Sequence, residues 1–274
     1  MHMIFNDVEI DSNQYFEVVN SLYDLKEEVC NYFNITMSQL RWFHVMNYLK
    51  DTGKVIFQYG YFSKEFNGKT RRIDKNHILT MLNTNEENND GRKHFTAMHE
   101  VTHSVLHLDG TLSNKTFYSN SANDVSSDLK EIQADIGASE LLMTSEAIYQ
   151  ACCSHQTFRN MCNTFEVSYG ALNTRLLNYL VFEKNMYFPL ALKLVTNFRY
   201  RNNQDLEWYI QYCDSILSTF DDVQTETYGE YSNGFDGYNN YIKSCYPTFW
   251  INVSASTVYL VYQQYLSLKN PSDW

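Results

Sequence analysis

The stretch Ala97–His107 reads AMHEVTHSVLH. Its three histidines stand four residues apart, and a glutamate follows the first. Around it, Phe95, Met98, Thr102, Val105 and Leu108 recur at spacings of three and four, which predicts a helix over 92–108. On a helix, four residues turn the direction by only about 40°. His99 and His103 therefore project from one face, one turn apart, and can share one ion. Glu100 lies about 100° round from His99, where it cannot easily be a co-ligand but can lie over the ion's open side. This is the geometry of HExxH, two zinc ligands and a general base. His107 is a turn too far, because two turns span about 10.8 Å. We read it as a structural histidine, with hydrogen bonding to a ligand as the alternative. His94 points elsewhere on the helix.

A catalytic zinc needs a third protein ligand. One option lies just downstream, where HExxHxxGxxH would place glycine at 106 and histidine at 109. Here those positions hold Leu106 and Asp109, and Leu106 gives the chain no reason to break and bring residue 109 back. The other option is a carboxylate of the next helix, predicted over 128–143. There Glu131 and Asp135 stand one turn apart. Glu131 would bind the metal, and Asp135 would accept a hydrogen bond from the far nitrogen of a ligand histidine. The competing readings are a capping box formed by Asp128 with Glu131, and a solvated position for Asp135.

Outward from this core, residues 12–33 show helical periodicity. A second helix spans 38–50, with Ser38 as N-cap and Gly53 beyond its end. KVIFQYGYF (54–62), KTRRI (69–73) and HILTML (77–82) read as strands, and Asn67-Gly68 reads as a hairpin turn. HILTML would then offer a sheet edge to an extended substrate. Shorter helices cover 145–153 and 157–164, and Ser168 caps another. After Lys184 the character shifts. Asn202–Tyr241 holds eight acids and no Lys or Arg, and TYGEYSNGFDGYNNY (227–241) reads as a long loop. The expected organisation is a zincin-like domain over 1–150, a helical extension over 151–184 and a separate region over 185–274.

The bulk numbers set limits. The 274 residues are 44% hydrophobic and 19% charged, enough to bury a core. A net charge of -11 argues against direct nucleic-acid binding, which draws on Lys and Arg. The first residues, MHMIFNDVEIDSNQ, lack the basic and apolar regions of a signal peptide, and no run is long enough to span a membrane. With six cysteines in neither zinc-ribbon nor CxxC spacing, a cytoplasmic protein with reduced thiols is expected.

The run RKHFTAMHEVTHSVLH (92–107) resembles the pattern RxxFTxAHExxHxxLH of the ImmA/IrrE family of zinc metallopeptidases, departing at Met98. EIQADIGASELLMTSEAI (131–148) is similar to the family's ExxAxxFAxxLLMP, departing at Gly137 and Thr144, and Asp135 stands where the family often has Asn. FEVSYGALNTRL (165–176) matches fxVSxxAxxxRL. The resemblance spans roughly 12–184, is strongest over 92–143, and leaves 185–274 without an account. It implies an α+β fold of the minimal zincin kind. It also implies one zinc ion held by His99, His103 and Glu131, Glu100 as general base, and Asp135 orienting a ligand. The implied activity is endopeptidase action on a protein, a helix-turn-helix transcriptional repressor of a mobile element, phage or stress response. The alternative is a regulatory protein that binds a repressor or antitoxin without cutting it, its zinc structural or vestigial. VSYGALNTRL also resembles a short helix-turn-helix, for which helix packing is the simpler reading, because only Arg159, Arg175 and Lys184 are basic between 151 and 184.

Overall fold

In the computed structural model the chain is described over residues 2–5, 8–63, 67–74, 77–84, 90–108, 125–201, 204–226 and 234–269. It divides into two units, Met1–Ile148 with Cys162–Arg175, and Tyr149–Met161 with Leu176–Trp274.

The first unit begins with an antiparallel pair, β1 (His2–Phe5) and β2 (Val8–Asp11). Asp11 then caps α1 (Ser12–Ser21). Its carboxylate accepts from the Gln14 amide at 2.9 Å while the Gln14 side chain accepts from the Asp11 amide at 3.0 Å. The periodicity of 12–33 predicts one helix, but the chain breaks at the fully buried Leu22 and resumes as α2 (Tyr23–Phe33). Asn34, at φ 54, ends α2 in the left-handed conformation. Thr36 and Gln39 form a capping box around a 3-10 turn, Met37–Gln39, before α3 (Trp42–Asp51). Ser38 sits inside that turn and is not the cap of α3. Gly53 follows at φ +69, a conformation that favours glycine.

Three strands follow, β3 (Val55–Gly60), β4 (Gly68–Arg72) and β5 (Ile78–Asn83). Their order is β3-β5-β4, with β3 parallel and β4 antiparallel to β5. The hairpin expected at Asn67-Gly68 is therefore absent, since β5 lies between the strands it would have joined. Gly68 is the first residue of β4 and pairs with Leu82. HILTML is the central strand and offers no edge. Its composition explains this, because Leu79, Thr80, Leu82 and Asn83 are all buried, on both faces.

Next come α4 (Asp90–Leu106) and α5 (Val125–Leu142), which pack against each other. A Cβ at Gly137 would lie 2.3 Å from Thr102 Cγ2 and 3.0 Å from Leu22 Cδ1. The glycine thus permits the close approach of the two helices. Thr144 caps α6 (Ser145–Cys153), its hydroxyl accepting from the Ala147 amide at 3.1 Å and donating to Met37 O at 2.9 Å. Then come α7 (Phe158–Phe165) and α8 (Tyr169–Asn178), with Ser168 Oγ accepting from the Ala171 amide at 3.0 Å. Arg175 is 1% exposed and donates to Met143 O, Tyr15 Oη, Ser145 Oγ and the Glu140 carboxylate. It is a packing residue, turned away from solvent. Buried Lys26 reaches the other Glu140 oxygen at 2.6 Å.

The described part of the second unit is helical. A π-helical turn, Tyr179–Glu183, leads into α9 (Phe188–Arg201), α10 (Asp205–Glu226), α11 (Phe235–Cys245), α12 (Pro247–Asn252) and α13 (Ala255–Lys269). Phe198, Tyr238, Tyr241, Phe249 and Val261 are buried in its core. The buried Asp205 accepts from the Ser254 amide and from the Ser254 and Thr257 hydroxyls, tying the start of α10 to the start of α13. Of the loop expected over 227–241, the FDGYNNY portion is helical in α11, and 227–233 lie outside the described residues. The architecture is α+β and zincin-like, mostly helical with a small sheet. No described helix is long and apolar enough to cross a membrane.

Candidate metal centre

The two histidines of α4 and the glutamate of α5 meet. His99 Nε2 lies 3.0 Å from His103 Nε2 and 3.2 Å from Glu131 Oε2, and His103 Nε2 lies 3.5 Å from Glu131 Oε1. Among the described residues this trio is the group of His, Cys, Asp and Glu side chains close enough to hold an ion. Tetrahedral coordination with bonds of about 2.0–2.2 Å puts ligand atoms roughly 3.3–3.6 Å apart, so the triangle suits a zinc-sized ion. Both histidines are buried. Asp109, the other candidate for a third ligand, and the Asp128 side chain lie outside the described residues.

The rings are oriented from behind. His99 Nδ1 donates to Asp135 Oδ1 at 2.8 Å. His103 Nδ1 lies 2.8 Å from His107 Nδ1, and His107 Nε2 lies 3.1 Å from Gln133 Oε1. Because the Gln133 oxygen can only accept, His107 carries its proton on Nε2 and accepts at Nδ1. His103 therefore donates from Nδ1 and presents a bare lone pair on Nε2. His107, which its spacing marks as structural, is hydrogen-bonded to a ring of the triad. Periodicity could not separate these readings, because Gln133 comes from another helix.

The electrostatics suit a cation. Burial opposes the imidazolium of His99, but the Asp135 and Glu131 carboxylates outweigh it and hold its pKa up to about 10. Burial of Glu131 is outweighed in turn by the two histidines, which bring its pKa down to about 2. Burial lowers His103, and takes His107 down to about 4. The cleft thus stabilises positive charge between its carboxylates while keeping His103 neutral and able to ligate.

Glu100 is 2% exposed and lines the same cleft of about 260 Å3, together with Arg92, Phe95 and Asp135. Burial pushes its pKa up to about 7, against the hydrogen bond from Thr70. Thr70 Oγ1 donates to Glu100 Oε2 at 2.6 Å and lies 3.1 Å from Thr80 Oγ1, its partner across the β4–β5 ladder. A Cβ at Gly68 would lie 2.8 Å from Glu100 Cγ, so β4 approaches the glutamate closely only because residue 68 is glycine. Sequence reasoning missed both residues. A lone glycine at the start of a strand is a signal for such an approach, but the Asn67-Gly68 turn reading took it. Thr70 carried no signal. His94 stacks on Trp42 at 4.0 Å and faces the Glu166 carboxylate at 3.3 Å, away from the triad as expected.

Residues 62–177 match the family described as the IrrE N-terminal-like domain, Peptidase_M78. The match takes in both helices of the triad and the 165–176 run, and stops short of 185–274. No curated protein matches the chain. With the triad, the buried glutamate and the matching order of elements in place, the chain carries over residues 62–177 a domain that is similar to this IrrE N-terminal-like metallopeptidase family.

Proposed function

We propose that the protein is a zinc-dependent endopeptidase that works in the cytoplasm on a DNA-binding repressor. The observation that carries this reading is the convergence of His99 Nε2, His103 Nε2 and the Glu131 carboxylate within 4.8 Å, beside the buried Glu100. Once a metal ion displaces the proton that the carboxylates hold on His99, the donor set is two imidazoles and one carboxylate, which is one that catalytic zinc uses, with a coordination position left for a reactant. What zinc supplies when bound is Lewis acidity toward a carbonyl oxygen and a water. The rest falls to the chain. Glu100 takes the proton of the attacking water and delivers it to the leaving amine. Thr70 holds one Glu100 oxygen at 2.6 Å and so leaves the other for that proton. Asp135 fixes the His99 tautomer, and His107 with Gln133 fixes that of His103. Glu131 supplies the negative ligand.

The repressor as substrate rests on the resemblance of 92–148 and 165–176 to the family's patterns. The cytoplasm is supported by free thiols at Cys30, Cys152, Cys153, Cys162 and Cys245. The test is incubation with the repressor encoded beside the gene, with and without chelator. Chelator-sensitive cleavage is expected, and Glu100→Gln should lower it by about 10²-fold or more while metal stays bound. A stable complex with the repressor left intact would favour a non-cleaving regulator instead.

A further inference from the structure

A second cavity, of about 230 Å3, opens beside the metal cleft. Asn67 and Thr96 line both. Thr96 stands one turn before Glu100 on α4, so a peptide lying across the triad passes the mouth of this cavity. The two spaces differ in chemistry. Apart from Phe95 the cleft is walled by charged and polar side chains, whereas Trp42, Met46, Tyr59, Leu82 and Ala97 make the second cavity mostly apolar. Its flattest wall is Trp42, stacked on His94 with the rings 18° from parallel. Glu166 Oε2 accepts from Trp42 Nε1 at 3.1 Å and lies 3.3 Å from His94 Nδ1, and so holds the two rings of that wall together.

We infer that this cavity receives a large apolar side chain of the peptide substrate, an aromatic one in preference, next to the bond to be cut. The inference rests on the endopeptidase reading and adds its specificity. Three observations carry it. The shared Asn67 and Thr96 put the cavity directly beside the cleft. Its size is right, since a cavity of about 150 Å3 already holds a benzene ring. Its charge excludes the other large side chains. Among the described residues Lys93 and His94 line it and no carboxylate does, so a lysine or arginine would be buried without a partner. A glutamate would meet Lys93 but would have to leave water for an apolar floor. A Trp42 face favours a flat ring through offset stacking.

The test uses the full chain loaded with zinc, in two arms. In the first, ligand-observed NMR compares acetyl-phenylalanine amide, acetyl-arginine amide and acetyl-alanine amide, which need no cleavage to report. The phenylalanine probe should bind about tenfold or more tightly than the others. Ala97→Trp should abolish that preference by filling the floor. Should Ala97→Trp fail to fold, Tyr59→Ala, at a side chain 61% exposed, removes one wall and should weaken the phenylalanine probe severalfold. In the second arm a mixture of random peptides is digested and the cut sites are sequenced. Phe, Tyr, Trp or Leu should dominate at one fixed position beside the cut, and that dominance should weaken in the same variant. Equal binding of the three probes, or a preference unchanged in the folded variant, overturns the inference. Selective binding of the phenylalanine probe with no peptide cut supports the pocket and counts against the endopeptidase reading alone.

Discussion

His99 and His103 can each present one nitrogen to the same point because the other nitrogen of each ring is already engaged. Asp135 takes that of His99 at 2.8 Å, and His107, backed by Gln133, takes that of His103 at 2.8 Å. Partners of this kind typically govern metal affinity by 10–100-fold. His107→Ala should therefore weaken zinc binding by about that factor while leaving the fold intact, as measured by competition with a chelating dye. Unchanged affinity would make His107 a packing residue only. The contrast with its neighbours shows what spacing can reveal. Four-residue steps identify His99 and His103, because helix geometry alone decides whether two side chains share a face. They say nothing of Gln133, Thr70 or Gly68, whose contacts with the site are made across elements that only folding brings together. Glu131 is intermediate, since its spacing from Asp135 suits a ligand as well as it suits a cap begun at Asp128.

At the scale of elements, the helices that carry the site are held by a buried charged cluster. Glu140, one face of α5, accepts from Lys26 of α2 and Arg175 of α8, and all three are at most 4% exposed. Removing the carboxylate that joins these two cations leaves positive charge in the interior with that compensation lost. Glu140→Gln should therefore cost about 3–5 kcal/mol of stability, read as a lowered midpoint in urea with an unchanged slope. A loss below about 1 kcal/mol would show the cluster to be well hydrated. Arg175 belongs to the TRL of VSYGALNTRL, so the run that resembles a helix-turn-helix has a packing reason for its arginine. Elements were legible where one periodicity dominated, as in α4, α5 and α6. They were misread where local and distant preferences conflict. Asn67-Gly68 favours a hairpin locally, yet burial on both faces draws β5 between β3 and β4. In α11 the Gly and Asn bias of FDGYNNY hides Tyr238, Tyr241 and Ile242, which form a buried helical stripe.

At the scale of the whole molecule, an acidic chain with net charge -11 also buries acid. Glu207 of α10 is 0% exposed, and neither of its oxygens has a hydrogen-bond partner among the described residues, although His155 Nδ1 stands 3.5 Å away. Burial pushes its pKa from the ordinary 4.5 up to about 7. Between those two pH values the folded chain holds a proton that the unfolded chain has released. This contribution is complete below pH 4.5, declines as pH rises through the window and is gone above about 7. The midpoint of thermal unfolding of the second unit should accordingly fall between about pH 4.5 and about pH 7, and Glu207→Gln should flatten that decline. A decline identical in the variant would place its origin elsewhere. Little of this unit was legible in advance, because its fold is set by aromatic packing between helices and carries no motif of known chemistry.

The central claim is that His99, His103 and Glu131 form one zinc site, and zinc content tests it most directly. Protein prepared free of metal, dialysed against zinc and assayed for bound ion should hold one per chain in the wild type and in Glu100→Gln. The ion should be lost from His103→Ala and from Glu131→Ala, each still folded by circular dichroism. Full zinc in both of those variants would contradict the assignment.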